Sequence, residues 1–371
     1  MDGTALIYCE GAFGTLAGKT AHGLVRHTDR YRVLGVVDSA LGGRDAGEVV
    51  EGTPNGVPIF AGVEEAIDSI EGSVDYLVIG LAPDGGRLTS EQRADVRGAL
   101  ELSLNVDNGL HEFLADDDEL AELAASRGVR IRDVRRPPPA EELHFYTGRI
   151  AEVTCLRLAV LGTDSAVGKR TTTVLTTRAL NAAGVKAEMV GTGQTAWFQG
   201  VRYGFCLDSL VNDFVTGEME HAVHRAFEEQ RPDVILVEGQ GSLLHPAFAS
   251  GGALICAVRP HALILQHAPS RRAYAGFPEY PMVDLAREIQ TLELLAGVPV
   301  MAITVNREGI APADLPAVLR ELESRHQRPA IDPLGDGLPR LVETIRSRIS
   351  QLGDRSATPK AGRDARLPAA P

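Results

Sequence analysis

Residues 161–172, reading Leu-Gly-Thr-Asp-Ser-Ala-Val-Gly-Lys-Arg-Thr-Thr, follow the apolar run 156–161 and open a helical pattern at 169–183. Strand, glycine-bearing loop, lysine and helix in that order constrain the fold more than any other feature of the chain. Glycine lets backbone N–H groups turn inward around a phosphate, and the helix N-terminus adds partial positive charge. The lysine supplies a point charge for phosphate oxygens. The stretch approximates the P-loop pattern G-x-x-x-x-G-K-[ST] with two departures. Thr163 stands where the first glycine belongs, with Gly162 adjacent, and Arg170 stands where a metal-binding hydroxyl belongs. We assign Gly162, Thr163, Asp164, Ser165, Ala166, Val167, Gly168, Lys169, Arg170, Thr171 and Thr172 to a diphosphate or triphosphate site. Thr171 or Thr172 is the hydroxyl left for Mg²⁺.

A second element supports this reading. Residues 233–242 are an apolar strand ending in a carboxylate and a glycine-rich turn. In P-loop folds a neighbouring strand places an acid beside the metal. That makes Glu238, with Thr171, the metal ligand if a Mg²⁺-nucleotide binds; an acid on a solvated loop is the alternative. Asn306 ends the apolar run 301–305, a place for an amide that reads a base, or for an ordinary turn residue.

Apolar runs alternate with helical patterns along most of the chain. Strand candidates are 5–9, 33–37 and 76–81, then 156–161, 187–190, 234–237, 262–266 and 300–305. Helical patterns cover 18–27 and 90–104, then 169–183, 212–229, 282–296, 315–325 and 338–352. Ser90 is the expected N-cap of its helix. Such alternation predicts parallel sheets with helices on their faces. Pro137, Pro138 and Pro139, directly after Arg135 and Arg136, remove three backbone donors and break the pattern. The predicted fold class is α/β, with an N-terminal Rossmann-like parallel-sheet domain (1–136) and a proline-rich linker (137–155). A C-terminal P-loop NTPase-like parallel-sheet domain (156–352) follows, then a disordered tail (353–371) with no apolar period.

Charge narrows the partners. Lys and Arg number 37 against 50 Asp and Glu, a net charge of −13, and aromatic residues are only 5%. Nucleic acid and anionic membrane are poor partners for such a chain, so any phosphate site is a local construction. Cys9, Cys155, Cys206 and Cys256 lie far apart, without metal or disulfide spacing. No window has the length of a membrane-spanning helix, and the start lacks a basic region before an apolar stretch. A cytoplasmic protein is expected, forming homo-oligomers on base rates alone. Near the N-terminus, Gly14-x-x-x-Gly18-Lys19-Thr20 is one residue short of a P-loop, and Gly11-x-x-Gly14 is not a dinucleotide fingerprint. Asp38 ends the second strand, where a ribose-binding acid belongs in a dinucleotide site. A Rossmann-like domain without a dinucleotide is the favoured reading.

Gly162-Thr163-Asp164 and Val167-Gly168-Lys169, together with Val237-Glu238-Gly239-x-Gly241, are similar to dethiobiotin synthetase and its P-loop relatives. A closer resemblance spans almost the whole chain. Arg135-x-Pro137-Pro138, the stretch 162–172, Gly193-Gln194-Thr195, Asp213-Phe214, Glu238-Gly239-Gln240-Gly241-Ser242 with His245-Pro246, and His267 occur in that order. The series resembles a P-loop family that includes D-glutamate N-acetyltransferases. That resemblance implies transfer of an acetyl group from acetyl-CoA to the amine of D-glutamate or a related small amino acid. The P-loop would then hold the CoA phosphates, and Arg170 suits either an extra phosphate or a surface position. An ATP- and Mg²⁺-dependent kinase or amide ligase is the alternative, and a nucleotide-binding regulatory protein the third reading.

Acyl transfer to an amine needs a base, donors for the thioester oxyanion and a pocket that orients the amine. His245 and His267, each at the end of a strand, are candidate bases, and Gln194 and Glu238 complete the expected catalytic set. Gly193, Thr195, Gly239, Gln240, Gly241 and Ser242 lie on glycine-rich turns suited to the substrate. Lys19 and Thr20, at the position of a Lys-Thr pair in the resembling family, would reach it across the domain interface. Arg259, Arg271 and Arg272 are weaker candidates for clamping a carboxylate. Trp197, the only tryptophan, packs on a ligand or within the structure. Asp208 and Asp213 are read as caps.

Overall fold

In a computed structural model the chain is described over residues 1–83, 85–248 and 250–357. Two parallel sheets form, one on each side of the proline run. The first contains β1 (Gly3–Tyr8), β2 (Tyr31–Val37), β3 (Ile59–Phe60), β4 (Tyr76–Ile79), β5 (Asn105–Asn108) and β6 (Ile131–Asp133). Their order, β3-β2-β1-β4-β5-β6 with every pair parallel, is that of a Rossmann fold. The helices are α1 (Lys19–Arg26), α2 (Ala46–Glu51), α3 (Val63–Ser69), α4 (Ser90–Glu101) and α5 (Asp118–Arg127). The cap of α4 is Thr89 rather than Ser90. Its hydroxyl accepts from Gln92 N–H while the Gln92 side chain returns the bond, a reciprocal arrangement that Ser90 could not make with Arg93 three residues on.

The second sheet contains β7 (Leu156–Gly162), β8 (Ala187–Gly191), β9 (Tyr203–Gly204), β10 (Val234–Glu238), β11 (Ala262–His267), β14 (Val300–Val305) and β15 (Ala330–Ile331). A separate hairpin pairs β12 (Ala273–Tyr274) with β13 (Phe277–Pro281). The large sheet runs β15-β14-β11-β7-β10-β8-β9, again all parallel. Every residue of β7 and β10 is buried, because helices cover both faces. Those helices are α6 (Lys169–Ala182), α7 (Gln194–Phe198), α8 (Asn212–Gln230), α9 (Gly251–Val258), α10 (Leu285–Ala296), α11 (Leu315–His326) and α12 (Leu338–Ala357). The apolar run of α9 has no helical period to announce it. Helix α12 continues to Ala357, five residues past the expected end, and the rest of the expected tail, 358–371, lies outside the described residues. No helix among the described residues is long and apolar enough to cross a membrane.

Helix α7 joins the two halves. Phe198 at its end is wholly buried within the core of the first sheet. Gln199 Nε2 donates to the carbonyls of Gly23 and His27, Thr28 Oγ1 donates to the Phe198 carbonyl, and Arg30 Nε donates to that of Trp197. The Trp197 ring lies between two guanidinium groups, 3.7 Å from Arg30 and 4.5 Å from Arg132. The tryptophan is therefore an interface residue held by cation–π contacts.

The segment after the prolines crosses α8. Glu220 accepts from the N–H groups of Thr147 and Ile150, and His144 stacks on His221 with ring centroids 3.6 Å apart. Gly217 makes this crossing possible, since a Cβ there would overlap the His144 carbonyl oxygen. Alanine at a helix interior ordinarily gains about 1 kcal/mol over glycine. Here Gly217→Ala is expected to lose about 1–3 kcal/mol through overpacking. Urea unfolding measures the difference, and a stabilised variant would show that the segment lifts away freely.

Candidate functional site

All strands of the large sheet point the same way, so the loops after β7, β8, β10, β11 and β14 converge on one edge. There the loop from β7 to α6 is held under strain: Ala166 has φ of +52° and Gly168 of +104°. A non-glycine residue in the left-handed region costs about 1–2 kcal/mol and persists where surrounding contacts enforce it. Asp164, wholly buried, supplies them. Its carboxylate accepts from Arg271 Nη1 at 2.8 Å, Ala275 N–H at 3.0 Å and Ser165 N–H at 2.7 Å. Arg271 also donates to the Ser165 carbonyl at 2.8 Å. Asn306 Nδ2 donates to the Val167 carbonyl at 2.9 Å, and Thr172 Oγ1 donates to Gln266 Oε1 at 2.5 Å. Lys169, buried, folds back to donate from Nζ to the Asp164 carbonyl at 2.7 Å. Burial brings its ammonium down to about 8, opposed by Asp164 and Glu238.

Glu238 ends β10 facing this loop. Its carboxylate accepts from Thr192 N–H at 3.0 Å. Burial pushes its pKa above the ordinary carboxylate value, against the pull of Arg170, Thr192 and Lys169. Gln240 Nε2 donates to the Thr192 carbonyl, bringing the turns after β8 and β10 together.

The loop floors a cavity of about 480 Å³ between the two halves. The first half contributes Leu16, Lys19, His22, Arg26 and Val50, and Arg135 comes from just before the prolines. Among the described residues the lining has five cations, Lys19, Arg26, Arg135, Lys169 and Arg170, against three carboxylates, Asp208, Glu238 and Glu308. In a chain with net charge −13, this local excess suits the cavity to an anion.

The family model described as the DUF1611_C P-loop domain, a domain of unknown function, matches residues 144–342. The chain belongs to the DUF1611 family. Its companion model, the DUF1611_N Rossmann-like domain, matches residues 39–137. A protein of Tritonibacter scottomollicae named D-glutamate N-acetyltransferase is 32% identical over 72% of this chain and 80% of its own length. One of the same name from a Pseudoalteromonas species is 28% identical over 78% of this chain and 88% of its own length. A crystal structure of a DUF1611 family protein from Anabaena variabilis superposes with a TM-score of 0.85. It is 28% identical and covers 93% of this chain and 99% of that one.

Within this DUF1611 chain the residues expected from sequence divide into those that line the cavity and those that do not. Ser165, Ala166, Val167, Gly168, Lys169, Arg170, Thr171, Thr172, Gly193, Gln194, Thr195, Glu238, Gly239, Gln240, Gly241, Asn306 and Lys19 line it. Gly162, Thr163 and Asp164 lie beneath the loop as its support, outside the lining. Thr20 is buried in the domain interface, its hydroxyl 2.8 Å from that of Thr195. Ser242 is buried 3.5 Å from Glu288, whose carboxyl burial pushes up to about 7. The Asn306 amide, read as either a base reader or a turn residue, donates to loop backbone and accepts from the Glu308 N–H.

The two histidines expected as bases are corrected by their packing. His245 is buried among the rings of Phe248, Tyr274 and Phe277 and does not line the cavity. Its Nδ1 accepts from the N–H groups of Ala247 and Phe248, which leaves the proton on Nε2, 3.4 Å from Asp164 Oδ1. Among the described residues that Nε2 has no hydrogen-bond partner, so His245 packs beside Asp164 without a bond to it. His267 Nδ1 lies 3.0 Å from Thr163 Oγ1, also outside the lining, and burial takes its pKa down to about 4. Arg271 holds the loop rather than a substrate carboxylate. Arg272 is exposed on the hairpin, and Arg259 follows α9 at the opposite sheet edge. Asp208 pairs with Arg135 across the domains rather than capping a helix. In the first half the Asp38 carboxylate accepts from the N–H groups of Phe13 and Ala40, so it braces its own glycine-rich loop.

Sequence reading missed His22, Arg26 and Arg135. Lys19, His22 and Arg26 recur at the i, i+3, i+7 spacing that places side chains on one helix face, a signal for a cationic stripe. Arg135 appeared only in the Arg135-x-Pro137-Pro138 motif of the resemblance, which gave it no role. Its place depends on Nε donating to the Gly109 carbonyl and on the Asp208 carboxylate.

Proposed function

We propose that the protein is an N-acyltransferase that moves an acetyl group from acetyl-CoA to the amine of a small amino acid, D-glutamate or a relative. The observation that carries this reading is the cationic cavity joined to the strained loop and bounded by both domains. Two curated relatives named D-glutamate N-acetyltransferase support it. Lys169 and the loop N–H groups hold the CoA diphosphate. Arg170 occupies the position of the metal-binding hydroxyl, and Thr172, one of the two displaced hydroxyls, is bonded to Gln266. A diphosphate bound without metal fits these residues.

In the reaction a C–N bond forms at the thioester carbonyl and the C–S bond breaks. Glu238 takes the proton released from the ammonium, its carboxylate made more basic by burial. Gln194, buried at the start of α7, presents its amide to the developing oxyanion. Lys19, Gly193, Thr195, Gly239, Gln240 and Gly241 orient the acceptor. The ammonium gives up two protons in becoming an amide: Glu238 takes the first, and the second passes from the attacked nitrogen to the departing thiolate, which leaves as free thiol.

The second reading, an ATP- and Mg²⁺-dependent kinase or ligase, draws on the same Glu238, a buried strand-end carboxylate beside the loop lysine. Thermal shift separates the two, because a specific ligand stabilises by mass action. Stabilisation by CoA and acetyl-CoA, followed by thiol release with D-glutamate, is the expected result. Stabilisation by ATP–Mg²⁺ alone would transfer the assignment to the second reading.

A further inference from the structure

Part of the cavity's positive charge lies away from the loop. Arg26 and Arg170 come from different domains, both line the cavity, and their charges are near enough to repel. The Arg170 Nη2 atom donates to the Lys19 carbonyl at 3.3 Å, and a Cβ on Gly23 would come within 2.7 Å of that same nitrogen. Among the described residues its Nε is buried without a hydrogen-bond partner. His22 lies close enough to feel both charges, and its Nε2 is 2.6 Å from the Phe13 carbonyl. The imidazole pKa is depressed by burial and further by both guanidinium groups. A buried guanidinium nitrogen left unpaired, beside a second guanidinium and a neutral imidazole, is costly unless an anion completes it. Glu51, paired with Arg26 at 2.8 Å, and Glu238, which faces Arg170, are the neighbouring carboxylates.

We propose that Arg26 and Arg170 form a subsite for a phosphate monoester carried on the same ribose as the diphosphate held by the loop, as the 3′-phosphate of CoA is. The inference rests on the acetyl-CoA reading and deepens it. Two phosphate groups on one ribose demand neighbouring sites, and Arg170 directly follows Lys169. The subsite also couples the domains, because Arg26 belongs to the first and Arg170 to the second. Guanidinium suits a phosphate dianion through paired N–H donors.

Titration calorimetry of CoA and dephospho-CoA against wild-type protein, Arg26→Gln and Arg26→Lys tests it, with thiol release measured on the same preparations. Arg26 is chosen because Arg170 packs in the interface, where its loss could disturb folding. Wild type is expected to bind CoA about tenfold or more tighter than dephospho-CoA, and Arg26→Gln to narrow that ratio to about threefold or less. Arg26→Lys retains most of the preference. Equal binding of the two ligands to wild type with thiol release intact overturns the subsite and leaves acetyl transfer standing. A preference unchanged in Arg26→Gln also overturns the subsite. Absence of CoA binding together with absence of thiol release overturns the acetyl-CoA reading and the subsite with it.

Discussion

Lys169→Met is expected to weaken CoA binding by about 100-fold or more, the scale for removing one partner of a buried, hydrogen-bonded charge pair. The ammonium is buried beneath the loop and has already been brought down to about 8 by burial. Methionine fills a similar volume without a charge to desolvate, so the thermal midpoint should change little while affinity collapses. The same pKa makes a second measurement. A bound diphosphate stabilises the ammonium and raises its pKa, so above about pH 8 binding must take up a proton. Wild-type affinity should therefore fall as pH rises beyond 8, by at most about tenfold per pH unit for one proton. Lys169→Met should lack that limb. A wild-type affinity flat to pH 9.5 would show that Lys169 does not contact the phosphates.

Glu238→Gln is expected to lower kcat by about 10²–10⁴-fold, the range for a lost general base. CoA affinity should persist or improve, because a buried negative charge facing the loop is removed. Burial raises the Glu238 pKa, so activity should be present above that raised value and fall as pH drops through it. The inflection should lie above the ordinary carboxylate range and vanish in the glutamine variant. If Glu238→Gln kept wild-type kcat, the base would lie elsewhere in the cavity. His22 is then the candidate, the one imidazole in the lining among the described residues, with one ring nitrogen engaged by the Phe13 carbonyl.

Residues close in sequence were the legible ones. The loop 161–172 could be read because strand, turn, lysine and helix follow one another within twelve residues, and local backbone preferences decide such a unit. Glu238 could be read for the same reason, as the end of an apolar strand. His245 and His267 satisfied the same strand-end criterion and still lie outside the cavity. The direction of an imidazole there depends partly on distant contacts, the hairpin 273–281 for His245 and Thr163 for His267, which the residues near either histidine do not encode. Arg271 looked like a free clamp because its partner, Asp164, is 107 residues away.

What the sequence by itself determined was local order: two alternating α/β halves, a proline break between them, a phosphate loop at the head of one sheet and a net negative charge that makes any anion site local. Only the tertiary structure decided which groups share the cavity. Helix α7 buries Phe198 in the other domain's core, and that docking sets Lys19, His22 and Arg26 opposite Lys169 and Arg170. Backbone preference is set by neighbouring residues, whereas the field inside a cleft is the sum of side chains brought together from distant parts of the chain by hydrophobic burial.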